Sequence, residues 1–175
     1  MVELNSRDRL QPSLLDRLID DEPKQQREAL EARVLTRQQL RAAVLRDLSW
    51  LFNTTRAEPE PKSVRTEQLA LWKEAELARK SVLNYGMPAF SGVTLSSLDK
   101  RSIEREVKAA IVAFEPRINS DKLEVELRLD PRNHYNSIQL VIRGEMWSQP
   151  VPLELMLSAD VDVETGNTRV RDLRS

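Results

Sequence analysis

An α+β fold, with amino-terminal helices packed on a small antiparallel sheet of three to four strands, is what this 175-residue sequence predicts. Two observations carry the prediction. Up to Pro116 the apolar residues recur every three or four positions, the spacing of a buried helix face, and beyond it they alternate every second residue, the spacing of a half-buried strand. Helices first and strands after is the order of a segregated α+β domain rather than of a wound parallel sheet.

The elements follow in chain order. Pro12 precedes Ser13, Leu14, Leu15, Leu18 and Ile19, which suits a short amphipathic helix ending near Pro23. A helix so short is marginal alone in water, so residues 1–35 read as an arm that docks on its own domain or on another protein. Residues 36–175 read as the domain. From Gln38 to Thr54, Leu40, Val44, Leu48, Leu51 and Phe52 form one stripe opposite Gln39 and Arg46, which predicts a core helix. Glu58-Pro59-Glu60-Pro61 cannot continue it, because proline lacks the N–H donor and disfavours helix in the residue before it. Thr66 to Leu83 predicts a second helix, with Leu69, Trp72, Glu76 and Lys80 at helical spacing. Asn84-Tyr85-Gly86-Met87-Pro88 and Ser91-Gly92 predict an irregular crossing whose aromatics anchor it to the core. After Asp99 the stripe Ile103, Val107, Ala110, Ile111 and Phe114 predicts a third long helix, stopped by Pro116.

The alternating runs begin with Leu123, Val125, Leu127 and Leu129 against Glu124, Glu126, Arg128 and Asp130. A second run spans Ile138 to Trp147, and a third places Val151 to Val163 on one face at every second residue. Glu164-Thr165-Gly166-Asn167 then predicts a hairpin into a last strand around Thr168 to Arg171.

Composition narrows the function. Hydrophobic residues at 40% can fill a core, and charged residues at 31% must cover the surface. Lys plus Arg number 27 against 28 Asp plus Glu, so no general field draws in nucleic acid. The chain has no cysteine, which excludes disulfides, thiolate metal sites and cysteine nucleophiles. Charges interrupt Met1 to Leu10 where a signal peptide needs an apolar run, and no stretch reaches the roughly 18 to 20 apolar residues of a membrane span, so a cytoplasmic protein without direct membrane insertion is expected.

Chemistry has few places to reside. His134 is the single histidine, between Asn133 and Tyr135 in an expected exposed loop, so neither a triad nor a histidine metal cluster can be built. Gly86, Gly92, Gly144 and Gly166 are too scattered for a phosphate-cradling loop. No cofactor and no metal is expected. Glu115, between Phe114 and Pro116, could be desolvated like a general acid, yet Arg117 beyond the proline would favour the ionised carboxylate. If the segment is extended, Glu115 and Arg117 project to the same side. They then form an internal ion pair fixing the helix-to-strand corner, or a charged pair offered to a partner, or, least favoured, part of a catalytic site.

Several stretches together resemble one family. Ser13-Leu14-Leu15-Asp16-Arg17-Leu18, Val44 to Thr54, Ser81 to Pro88, Phe114-Glu115-Pro116-Arg117-Ile118, Ile142-Arg143-Gly144-Glu145-Met146-Trp147 and Pro150-Val151-Pro152-Leu153 run in the same order as in the TssE family, type VI secretion baseplate subunits related to the lysozyme-like baseplate proteins of contractile phage tails. The similarity covers roughly residue 10 to the carboxyl end, and Arg56 to Lys80 is longer and more helical than the family pattern. The resemblance implies a non-enzymatic wedge subunit recruited to the inner-membrane-anchored secretion apparatus. It implies contacts with TssF and TssG, with TssK as a further candidate, and a role in templating the sheath of TssB and TssC. It also implies that Glu115, Pro116 and Arg117 make assembly contacts. The alternative is a peptidoglycan hydrolase of lysozyme type, for which the sequence offers Glu115 no identifiable second carboxylate.

Overall fold

A computed structural model describes residues 13–18, 35–59, 66–89, 99–128, 137–148 and 151–174. Among these described residues five helices, α1 (Leu14–Leu18), α2 (Arg37–Phe52), α3 (Thr66–Glu74), α4 (Glu76–Arg79) and α5 (Lys100–Phe114), precede four strands. These are β1 (Glu124–Arg128), β2 (Ser137–Met146), β3 (Leu153–Asp162) and β4 (Thr168–Asp172), all antiparallel in the order β1-β2-β3-β4. The predicted α+β class holds, with four strands. The places given to His134, Leu129, Ser91-Gly92 and Pro150 lie outside the described residues.

The two long helices start where their caps are. Thr36 and Gln39 form a reciprocal capping box at α2, and Asp99 accepts from the Ser102 N–H at α5, so each satisfies donors that a helix start leaves free. Leu40, Val44, Leu48, Leu51 and Phe52 of α2 share one core with Val107 and Ile111 of α5 and with Leu127, Leu140, Ile142, Leu155, Leu157 and Val161 of the sheet. Both helices therefore lie on the same sheet face, α2 towards β4 and α5 towards β1. Glu104 on α5 accepts the Leu127 N–H at 2.8 Å, which ties the outer edge of β1 to the helix.

Strand bounds follow the alternation to within two residues, with Leu123 just before β1 and Trp147 just after β2. Val151 lies exposed before β3 begins, because the face it was predicted to share starts to be covered only from Leu153. The helix predicted over Thr66 to Leu83 is broken. Ala75 separates α3 from α4, Asn84 donates to the Arg79 carbonyl that the helix would otherwise carry onward, and Val82–Asn84 forms a single 3-10 turn. No common face holds this stretch in register: Leu69 and Trp72 are half-buried, while Leu71, Leu77, Val82 and Leu83 are exposed. The Asn84 carboxamide also clips Glu58, accepting from its N–H at 3.0 Å and donating to its carboxylate at 3.2 Å.

The crossing after it is anchored as predicted. Tyr85 meets Phe114 edge to face, with ring centroids 5.1 Å apart. Gly86 has φ +130° and passes so close to residues 54–56 that a Cβ would sit 2.6 Å from the Thr54 carbonyl oxygen. That close passage lets Thr55 and Met87 pair as a parallel bridge and brings the Tyr85 loop against the end of α2.

Candidate functional site

The corner between α5 and the sheet is built by Pro116. With no N–H to continue the helical ladder, it leaves Glu115 as the C-cap residue, whose own N–H still reaches the Ile111 carbonyl at 2.8 Å. The Ile118 N–H then returns to the Glu115 carbonyl at 3.2 Å, so the corner is a turn rather than the extended segment expected. Glu115 and Arg117 meet all the same, because the turn folds the arginine back over its neighbour. Arg117 donates from its backbone N–H and from Nε, at 3.2 and 2.6 Å, to Glu115 Oε1, and from Nη2 to Oε2. Glu115 is 2% exposed, and both its oxygens are taken.

Arg117 has a second carboxylate. Its Nη2 also donates to Asp47 on α2, and Asp47 accepts in turn from Nε of Arg46 at 2.9 Å. Arg46 reaches onward to Asp16 on α1 at 2.7 Å. The result is a ladder of alternating charge, Asp16, Arg46, Asp47, Arg117, Glu115, running from the amino-terminal helix across α2 to the corner. Burial disfavours the Arg117 charge, but hydrogen bonds and charge from Glu115, then from Asp47, outweigh it and hold the guanidinium well above its ordinary pKa. Tyr85 lies beside the same acids: its burial first, and then Asp47 and Glu115, push the phenol up.

Of the three readings of the pair, an internal bridge, a surface offered outward or part of a catalytic site, the contacts within the chain are those of the first. Pro116 stands exposed over it, and Arg117 remains partly accessible. The sequence reading did not find Asp47, Arg46 or Asp16 as members. The available signal was the position of Asp47 beside buried Leu48 at the border of the α2 stripe, where a carboxylate is desolvated unless paired.

The arrangement is a poor acid–base centre. A glycosidase keeps its two carboxyls on either side of the scissile bond. Here Glu115 and Asp47 also stand apart, and the space between them is filled by the Arg117 guanidinium that binds both. Among the described residues no group of three or more acids and histidines could hold a metal ion, and no helix is long and apolar enough to cross a membrane. A surface groove of about 570 Å³ between α5 and β1 is walled by charges of both signs, including Glu104, Arg105, Lys108, Glu126 and Arg143.

Comparison with known families gives one match. The family model described as baseplate wedge protein gp25 matches residues 38–151, from the start of α2 to the approach to β3, and so takes in the whole helix-to-sheet corner. The chain belongs to the baseplate wedge protein gp25 family. Its role is accordingly that of a structural baseplate component among other baseplate components, and the resemblance seen in the sequence is to this same family. No curated protein and no solved structure gave a match.

Proposed function

We propose that the chain is the TssE-type wedge subunit of a type VI secretion baseplate. It binds TssF and TssG, stands next to TssK, and templates the first sheath layer of TssB and TssC from the cytoplasmic side of the inner-membrane-anchored apparatus. Membership of the baseplate wedge family is the observation that carries this reading. Support comes from the corner. Glu115, Pro116 and Arg117 sit at the junction of α2, α5 and the sheet, where an ion-paired turn presents a fixed shape to a neighbouring subunit, and pre-ordered surfaces lose little freedom on binding.

No hydrolytic role is proposed, because the substrate's place between Glu115 and Asp47 is taken by Arg117. The test is co-expression of the tagged chain with cognate TssF and TssG. A stoichiometric complex on size exclusion is expected, along with peptidoglycan release at the no-protein background. Failure to form that complex, or release above background that Glu115→Gln abolishes, would overturn the reading.

A further inference from the structure

Helix α1 meets the domain with the side opposite to that of an apolar arm. Leu14 and Leu18 are 75% and 73% exposed, and Leu15, the best covered of the three, is 38% exposed, whereas the Asp16 side chain keeps 10% of its surface in water. A five-residue helix has no stability of its own, so what docks it also keeps it folded. Among the described residues the polar tie from α1 to α2 is the ion pair of Asp16 Oδ1 with Arg46 Nη2 at 2.7 Å. The other carboxylate oxygen, Oδ2, accepts from the Ser13 N–H at 3.1 Å and from the Ser13 hydroxyl at 2.5 Å, while Ser13 Oγ accepts the Asp16 N–H at 3.4 Å. That exchange closes the first turn as a capping box does. The start of α1 and its docking therefore depend on one carboxylate.

Release costs little at either end. When Asp16 passes into water, Arg46 keeps Asp47 at 2.9 Å and the Trp50 ring, whose centroid lies 5.3 Å from the guanidinium carbon. No buried charge is stranded. The corner is different, because Glu115 is 2% exposed there and has both oxygens bound by Arg117. The pair itself is partly exposed, at 28% for Arg46, and such pairs are weak and screened by salt.

We propose that α1 is a releasable strap, latched on α2 by Asp16 and Arg46, which leaves and returns while α2, the corner and the sheet stay folded. Its leucines travel with it and do not hold it. The periodicity that marked this segment as an arm is real, but a charge fastens the arm in its docked state.

The chain has no cysteine, so a nitroxide on Leu14→Cys, an exposed position, labels α1 alone. The experiment reads paramagnetic broadening of the Asp47 and Leu48 amides in the full chain, with melting temperatures alongside. Broadening should be strong at about 0.05 M salt and several-fold weaker at about 0.5 M. Asp16→Asn keeps an acceptor for Ser13 and loses the charge. It should remove most of the broadening at both salt concentrations and melt like the labelled parent. Leu15→Ala should retain at least half of the broadening. Broadening that ignores salt, or that survives Asp16→Asn, would sink the latch. A greater loss with Leu15→Ala than with Asp16→Asn would make the contact apolar. A melting temperature lowered by Asp16→Asn as far as by Leu48→Ala would make α1 part of the core. Either of these outcomes overturns the proposal.

Discussion

The Asn53 carboxamide pairs with Thr168 as a neighbouring strand would, donating to its carbonyl and accepting its N–H, each at 2.9 Å. The same side chain donates to the Ser49 carbonyl at 2.8 Å and so closes the end of α2. One residue thus joins the last turn of the core helix to the first residue of the outermost strand. Asn53→Ala should cost about 1 to 3 kcal/mol, because it leaves partly buried backbone groups of Thr168 without partners. Amide exchange at Thr168 should accelerate more than at Leu155 or Leu157. Unchanged exchange at Thr168 would refute the strand-like role of Asn53.

Gly86 occupies a conformation that a side chain cannot share. Its φ is positive, and an added Cβ would meet backbone atoms of residues 54–56, which cannot move aside as a flexible side chain could. Gly86→Ala should destabilise by about 3 kcal/mol or more and loosen Tyr85 from Phe114, read as a lower denaturant midpoint with altered tyrosine fluorescence. Gly166, whose φ is also positive but whose surroundings are open, should tolerate alanine better.

Leu48 is buried where α2 faces the sheet, in one core with Leu123 and Leu127. Leu48→Ala should cost about 2 to 5 kcal/mol, the usual range for truncating a packed leucine. Equilibrium unfolding in urea gives the number, and an unchanged midpoint would contradict burial of this stripe.

Elements that bury one regular face were legible in the sequence. The stripe Leu40 to Phe52 and the alternation Ile138 to Met146 each turn one regular face to the shared core, so periodicity alone locates them. Residues 66–83 were misread as one helix because helix formers are frequent there, whereas its end at Arg79 coincides with Asn84, which donates to the Arg79 carbonyl and is held by Glu58, twenty-six positions away. At the corner, Glu115 and Arg117 were visible as a pair because they are two residues apart. Asp47 was not, since seventy positions separate it from Arg117 and charge pairing leaves no period in a sequence.

The tie between α1 and α2 should fail in acid. Burial of Asp16 opposes its ionisation, but hydrogen bonds from Ser13 and Arg46 and the Arg46 charge outweigh this and place it below the ordinary value of 3.8. A carboxyl with a lowered folded pKa stabilises the docked state fully above 3.8 and loses that contribution as pH falls through its folded value. Leu14 and Leu18 are 75% and 73% exposed, so little apolar burial replaces the lost pair. Amides of 14–18 should therefore lose protection as pH falls below about 4, while those of β2 keep theirs, and Asp16→Asn should show the weakened state at pH 7. Protection of 14–18 that does not depend on pH or on Asp16 would disprove the electrostatic tie.

Reversing Arg117 should damage the fold and the assembly together. Among the described residues the Arg117 guanidinium is the cation set between Glu115 and Asp47, and the Glu115 carboxylate has no other described partner. Arg117→Glu would bring three acids together at a corner where one is almost fully buried. Breaking a buried pair by removing one partner typically costs about 3 to 5 kcal/mol, because the remaining charge is stranded rather than merely unpaired. Arg117→Lys should fall between, since an ammonium on one point cannot grip both oxygens of Glu115 while also reaching Asp47. The stability loss should appear in the isolated chain, before any partner is added, as a lower melting temperature for both variants in that order. Glu115→Gln keeps the shape but weakens the grip, and its melting temperature should lie above that of Arg117→Glu. If Arg117→Glu melted like wild type and only lost partner binding, the internal bridge would contribute nothing to the fold, and the guanidinium would belong to the interface after all.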